Sequence, residues 1–148
     1  MKIERVTIEH LMEVARLFDL YRQFYTQPAD LDKARRYIKD RIENKESVIY
    51  LATDESGRGL GFIQLYASFC SVDAAPIWIL YDLYVDTTAR QQGVGTALMD
   101  QARQLACETG AVRIELETAV ENTIAQSVYE RLGYARNTEF YGYSLDIR

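Results

Sequence analysis

Tyr84-Val85-Asp86-Thr87-Thr88-Ala89-Arg90-Gln91-Gln92-Gly93-Val94-Gly95-Thr96-Ala97-Leu98 is the stretch on which the fold turns. A strongly apolar strand ends in it, a short polar turn follows, and an Arg-x-x-Gly-x-Gly segment opens an amphipathic helix. A glycine-bearing turn at a helix N-terminus aims several free backbone N–H groups one way, where the helix dipole also favours negative charge. That is a phosphate site made of main chain, and Arg90 adds a charged, bidentate partner for phosphate oxygens. Lone Gly-x-Gly segments also occur in tight turns that need glycine for backbone reasons alone.

Outward from the motif, Ile77 to Val85 is nearly all apolar or aromatic and reads as a central strand. The helix from about Gly93 to Thr109 carries a buried stripe of Val94, Ala97, Leu98, Ala102 and Leu105, and Gly110 stops it. Arg113 to Thr118 alternates as a strand, Asn122 to Leu132 reads as a helix closed by Gly133, and Thr138 to Ile147 reads as a final strand. On the other side, Lys2 to Val6 is a first strand, and Thr7 caps a helix spaced by Leu11, Val14, Ala15 and Phe18. Asp30 caps a second helix over Leu31 to Asn44. Ser47 to Thr53 and Leu60 to Phe69 flank the breaker-rich turn at 54–59 as a hairpin. The order is β-α-α-β-β-β-α-β-α-β. The hairpin requires antiparallel pairing, and the strand–helix–strand unit from Ile77 to Thr118 requires a right-handed parallel crossover. The expected fold is therefore α/β with a mixed, mostly antiparallel sheet, a central parallel crossover and helices on both faces.

The chain has 148 residues, 48% apolar and 26% charged, the balance and length of one globular domain spanning 1–148. A net charge of −5 opposes nucleic-acid binding as a whole-surface property. No apolar run approaches the roughly 18 residues of a membrane span, and Met1 to Arg5 has no secretory h-region. Cys70 and Cys107 lie far apart without a CxxC spacing, which fits a reduced, cytoplasmic setting. A single histidine, His10, leaves no His-rich metal site, and its place in a first helical turn reads as solvated. Two nucleotide-binding rivals fare poorly. A Walker loop needs Gly-Lys-Ser/Thr after its glycines, and Thr96-Ala97 stands there. A dinucleotide fingerprint needs a small residue where Leu98 stands, although Glu117 lies about 20 residues on, where a ribose-binding acid belongs.

Asn122-Thr123-Ile124-Ala125-Gln126-Ser127-Val128-Tyr129-Glu130-Arg131-Leu132-Gly133-Tyr134 follows at a telling distance. Together with Leu83-Tyr84-Val85 and Arg90-Gln91-Gln92-Gly93-Val94-Gly95, it closely resembles the GCN5-related N-acetyltransferase (GNAT) family. The element order matches over the entire chain. Tyr21-Arg22-Gln23-Phe24-Tyr25, Glu46-Ser47-Val48-Ile49, Gln64-Leu65-Tyr66 and Phe140-Tyr141-Gly142-Tyr143-Ser144-Leu145 look like the branch that acetylates polyamines, diamines and small amines.

The resemblance implies transfer of an acetyl group from acetyl-CoA, as cosubstrate, to a primary amine of a small cationic metabolite. Attack would be direct in a ternary complex, with no metal. It implies that the pyrophosphate rests on the N–H groups of Arg90, Gln91, Gln92, Gly93, Val94, Gly95 and Thr96. The family often has Gly-Lys or Gly-Gln before the first glycine, where this chain has Gln91-Gln92. The pantetheine arm would pair with the backbone of Leu83, Tyr84 and Val85, one of whose N–H groups would polarise the thioester carbonyl. Asn122 would contact the cofactor arm, or serve as an ordinary N-cap. Tyr129 would protonate the departing thiolate, although it also shares a helical face with Ala125, Val128 and Leu132. Asp82 would bind or deprotonate the amine, or act structurally. Relatives often carry Glu-Asp there, and this chain has Tyr81-Asp82. In regular strand geometry these two side chains face opposite sides. Tyr21, Phe24, Tyr25 and Tyr81 would line the acceptor pocket, with Tyr141 and Tyr143 as further candidates. A homodimer is also implied. The alternatives are acetylation of a protein lysine or N-terminus, and an acyl-CoA sensor without turnover.

Overall fold

The structure is a computed structural model that describes residues 1–148. The chain forms two compact units, Met1–Leu116 and Glu117–Arg148. The first holds the entire sheet. It runs β1 (Lys2–Arg5), a 3₁₀ turn (Ile8–His10), α1 (Leu11–Phe24), α2 (Leu31–Glu43), β2 (Val48–Thr53), β3 (Gly59–Cys70), β4 (Ala75–Val85), a 3₁₀ turn (Thr87–Ala89), α3 (Val94–Glu108) and β5 (Ile114–Glu115). The strands lie in sequence order, antiparallel except for the parallel pair of β4 with β5. This is the mixed sheet that the hairpin and the crossover require.

Alternation along the strands sorts the core. Leu51, Phe62 and Tyr84 stand opposite one another across β2, β3 and β4, on the face covered by α1 and α2. There they pack with Ile49 and with Val14, Leu17, Phe18, Ala34 and Ile38 from the two helices. The opposite face meets α3 through Val94, Leu98, Met99, Ala102, Leu105 and Ala106, all buried on one helical stripe. Two cap signals hold. Asp30 accepts from the Lys33 N–H at 3.1 Å to open α2, and Gly110 leaves α3 at φ +73.

Three expectations change. His10 is not simply solvated: its Nδ1 accepts from the Thr7 N–H at 2.9 Å and its Nε2 lies 3.1 Å from Glu4, so it ties the first turn to β1. The strand expected at 113–118 pairs over Ile114–Glu115 only. The final strand expected over Thr138 to Ile147 does not form. The second unit has α4 (Thr123–Arg131) as its one helix, and the segment after it enters no ladder. The alternation of Tyr141, Tyr143, Leu145 and Ile147 fits a strand, but a strand needs a pairing partner as well as a pattern.

Candidate active site

β4 carries the decisive irregularity. Its register with β3 runs Ile79 opposite Tyr66 and Leu80 opposite Leu65, then resumes with Asp82 opposite Gln64, so Tyr81 is an extra residue. This is a β-bulge, which re-aims the strand beyond it. The backbone shows the effect directly. Before the bulge the Trp78 N–H reaches the Arg113 carbonyl at 3.2 Å, so an even-numbered residue faces β5. After it the Asp86 N–H reaches Leu60 at 2.8 Å, so an even-numbered residue faces β3. By alternation, Leu83 and Val85 therefore turn their N–H and C=O groups to the β5 side, while Tyr84 turns its own towards β3. The β4–β5 ladder ends at Ile79 with Glu115, so Leu83 and Val85 lie beyond it and pair only with Ile63 and Gly61 of β3. Outward backbone groups past the end of a ladder are what an added extended ligand requires.

The bulge also overturns the expectation that Tyr81 and Asp82 face opposite sides. The Tyr81 ring stands edge-on to Tyr66 at 5.7 Å, and the Asp82 charge acts on that same Tyr66 phenol. The Tyr21 hydroxyl sits between the Tyr81 carbonyl, 3.4 Å away, and the Asp82 carboxyl, to which it also bonds. Tyr21 meets Tyr25 at 5.1 Å, and Tyr25 meets Phe24 at 5.2 Å. Tyr21, Phe24, Tyr25, Tyr81 and Asp82 thus form one connected cluster, with Phe24, Tyr25 and Tyr81 exposed and Asp82 only 4% exposed. Burial pushes the Asp82 carboxyl up, against the lowering effect of its bonds to Gln64 and Tyr21. Burial likewise raises the Tyr21 phenol, and the nearby Asp82 adds to it.

Two groups in this cluster, both in the Gln64-Leu65-Tyr66 segment of the branch resemblance, had no site role in the sequence reading. Gln64, fully buried, donates from Nε2 to Asp82 Oδ2 at 2.6 Å and accepts the Ser47 hydroxyl at 2.7 Å. Tyr66 shares a 2.6 Å hydroxyl contact with Tyr37, over whose ring the Arg41 guanidinium lies at 4.4 Å. The signal for Gln64 was an amide within the apolar run Gly61-Phe62-Ile63-Gln64-Leu65, since a buried amide needs partners.

At the start of α3 the first intrahelical bond runs from Ala97 N–H to the Gly93 carbonyl at 3.0 Å. The N–H groups of Val94, Gly95 and Thr96 thus precede any intrahelical acceptor. No side chain caps this end, and no acid stands in its first turn, where α1 has Glu13 and α2 has Asp32. Gly93 has φ +81, and Gln91 takes φ +62, the left-handed region that glycine accepts more readily. Gln92 Nε2 lies 3.5 Å from the Thr88 carbonyl. Arg90 donates from Nε to the Val85 carbonyl at 3.0 Å, with its guanidinium 5.6 Å from the Tyr84 ring. It is exposed, with its Nη groups left over for an anion. A main-chain donor cradle with an arginine beside it and no acid in the helix's first turn fits a pyrophosphate.

In the second unit, Asn122 caps α4 by accepting the Ala125 N–H at 3.2 Å, and Tyr129 lies on α4 with its ring 6.1 Å from that of Tyr134. Tyr141 and Tyr143 lie in the segment after α4 that joins no ladder.

The donor cradle and the bulged strand suit a phosphate-bearing ligand with an extended arm, and comparison with known proteins gives the class. The acetyltransferase (GNAT) family model matches residues 14–134. The uncharacterized N-acetyltransferase YhfO of Bacillus subtilis (strain 168) is 41% identical over 147 residues, covering 99% of this chain and 98% of that protein. A probable acetyltransferase of Haemophilus influenzae is 30% identical over 118 residues, 80% of this chain and 79% of its own. A crystal structure of a probable acetyltransferase superposes with a TM-score of 0.94 at 46% identity, covering 100% of this chain and 99% of that one. The chain belongs to the GNAT family of acetyltransferases, enzymes that use acetyl-CoA to acylate amines.

Proposed function

We propose that the acceptor is the primary amine of a small cationic metabolite, a polyamine, diamine or amino-acid derivative, bound against Asp82 among Tyr21, Phe24, Tyr25 and Tyr81. The observation that carries this reading is the buried Asp82 carboxyl within an aromatic cluster, one residue from the outward N–H of Leu83. Aromatic faces and a carboxylate attract an alkylammonium ion, and the same carboxylate takes its proton to leave a nucleophilic amine. Acetyl-CoA supplies the activated acyl group. An outward N–H of Leu83 or Val85 donates to the carbonyl oxygen as charge builds there, and the N–H groups of 90–96 with Arg90 hold the phosphates. Tyr129 donates its phenolic proton to the departing sulfur, and Asn122 holds the arm. In this reading residues 1–148 work as one catalytic domain of a cytoplasmic homodimer. The span of the family match across both units supports the single domain, and the wide spacing of Cys70 and Cys107 the reduced setting.

Acetyl-CoA-dependent thiol release across polyamines, diamines, amino-acid amides, aminoglycosides and a lysine peptide tests the proposal. Saturable turnover is expected with one small amine. Tyr129→Phe should lose about 10²-fold or more in turnover while still binding acetyl-CoA. Turnover with the peptide alone, or no thiol release with any of these amines despite tight acetyl-CoA binding, would sink it.

A further inference from the structure

We propose that Gln64, held by Ser47, is a positioning residue that keeps the Asp82 carboxyl aimed at the acceptor amine in both of its protonation states. The inference rests on the reading of Asp82 as the proton acceptor. Ser47 Oγ, Gln64 and Asp82 Oδ2 form an unbroken chain with contacts of 2.7 and 2.6 Å. Its middle member is fully buried on the same sheet face as Asp82, directly opposite it in register. An amide has a donor end and an acceptor end, and a serine hydroxyl can act as either. With Asp82 ionised, Nε2 donates to Oδ2 and the Ser47 hydroxyl donates to Oε1, as observed. Once Asp82 takes the proton of the ammonium, a half-turn of the amide lets the new Asp82 O–H donate to Oε1. Nε2 then donates to Ser47 Oγ. Every member keeps a partner in either state, so protonation leaves no buried group orphaned. An arginine or lysine at 64 would lock the carboxylate in its charged form, and a leucine would leave it without a partner on that side.

The other groups facing Asp82 complete its surroundings. Tyr21 from α1 bonds to it, and Tyr66 from β3 feels its charge. Tyr81 is the adjoining bulge residue, and Tyr37 and Arg41 of α2 stand behind Tyr66. Each facing group other than Gln64 is a phenol, and the full charges, Arg41 and the Glu46 it pairs with at 3.2 Å, stand behind Tyr37 and Tyr66. Among them Gln64 is the amide, with a donor end and an acceptor end to offer Asp82.

The test compares kcat/KM for the acceptor against pH in the wild type, Asp82→Asn, Gln64→Leu and Ser47→Ala, with the Asp82 carboxyl carbon followed by NMR titration. Asp82→Asn should remove the acidic limb. Gln64→Leu should move that limb to higher pH by about one unit or more, because the charged form has lost a donor. Ser47→Ala should move it the same way by less, and it serves as the readout if Gln64→Leu does not fold. A limb that stays in place while all rates fall together would make Gln64 merely structural and overturn the proposal. If Asp82→Asn instead keeps the limb, the base assignment fails, and the NMR titration decides separately. A raised Asp82 midpoint in Gln64→Leu then still supports the coupling, and an unmoved one ends it.

Discussion

Asp86 shows how a single carboxylate joins the loop ahead of the cradle to the rest of the first unit. Its Oδ1 accepts the Thr88 N–H and hydroxyl at 3.1 Å each, and its Oδ2 accepts Arg16 Nη1 at 3.0 Å. Arg16 in turn donates to the Gly59 carbonyl at 2.8 Å and to Glu13 at 3.1 Å, and Glu13 accepts the Gly59 N–H at 2.7 Å. Burial pushes the Asp86 carboxyl up, but the Thr88 backbone bond and the Arg16 contact outweigh it and hold the group at about 2. A depressed folded value means stability that is fully present above the ordinary aspartate range near 4 and lost as pH falls through about 2. Arg16→Ala should therefore cost about 1–3 kcal/mol at neutral pH. In urea denaturation the gap to the wild type should narrow below pH 4, and a gap that stays constant to pH 3 would remove the Asp86 contact as its cause. Such contacts are hard to read from sequence because they join residues 70 positions apart. Asp82 and the Tyr21–Tyr25 run were legible, because an acid in an apolar strand and an aromatic helix end stand out. The pairing of Gln64 with Asp82 and the facing of Tyr81 were not, because both depend on where the bulge falls.

At the scale of elements, α3 separates two uses of glycine. Gly93 lies outside the helix at φ +81 with open space around it, so a side chain there meets strain from the backbone alone. Gly95 has no positive φ, and an added Cβ would make an ordinary 3.7 Å contact with Val85 Cγ2. The free protein has no evident need for glycine at 95, which leaves room for a ligand against the N–H groups as its reason. Gly93→Ala should destabilise the free protein by about 1 kcal/mol, the left-handed cost partly offset by the less flexible unfolded chain. Gly95→Ala should leave thermal stability level or slightly raised, since alanine favours helix, yet weaken acetyl-CoA binding by about tenfold or more in calorimetry. Equal affinity in Gly95→Ala and wild type would contradict the cradle. The elements themselves were largely legible: α2, α3 and α4 start at their caps and stop near their glycine or asparagine signals. Strands fared worse where pairing is decided at long range. Alternation located β2, β3 and β4 well, because hairpins pair neighbours, but it cannot say how far β5 stays in register or whether residues 138–147 pair at all.

For the molecule as a whole, a net charge of −5 sits uneasily with a polyanionic cosubstrate, so binding must come from local geometry rather than the overall field. The one place in the first unit where that geometry exists is the run from Leu83 to Thr96, which joins outward strand amides to uncapped helix amides through Arg90. Saturating acetyl-CoA, at about 100-fold over its Kd, should add about 2.7 kcal/mol, or roughly 5–10 °C in melting temperature for a chain of this length. Amide hydrogen exchange then locates the effect. Protection should rise at 83–85 and 90–96 in the first unit. In the second it should rise at 122–129, as the roles given to Asn122 and Tyr129 demand. The second unit is too short to bury much of its own surface and contains no buried residue in α4. Without ligand its amides should exchange well ahead of those in β2 and β3, whose side chains form the core. Protection confined to 83–96 would keep the phosphate and arm assignments and withdraw those of Asn122 and Tyr129. Protection at neither would mean that the cradle does not hold acetyl-CoA in this chain, despite its family membership.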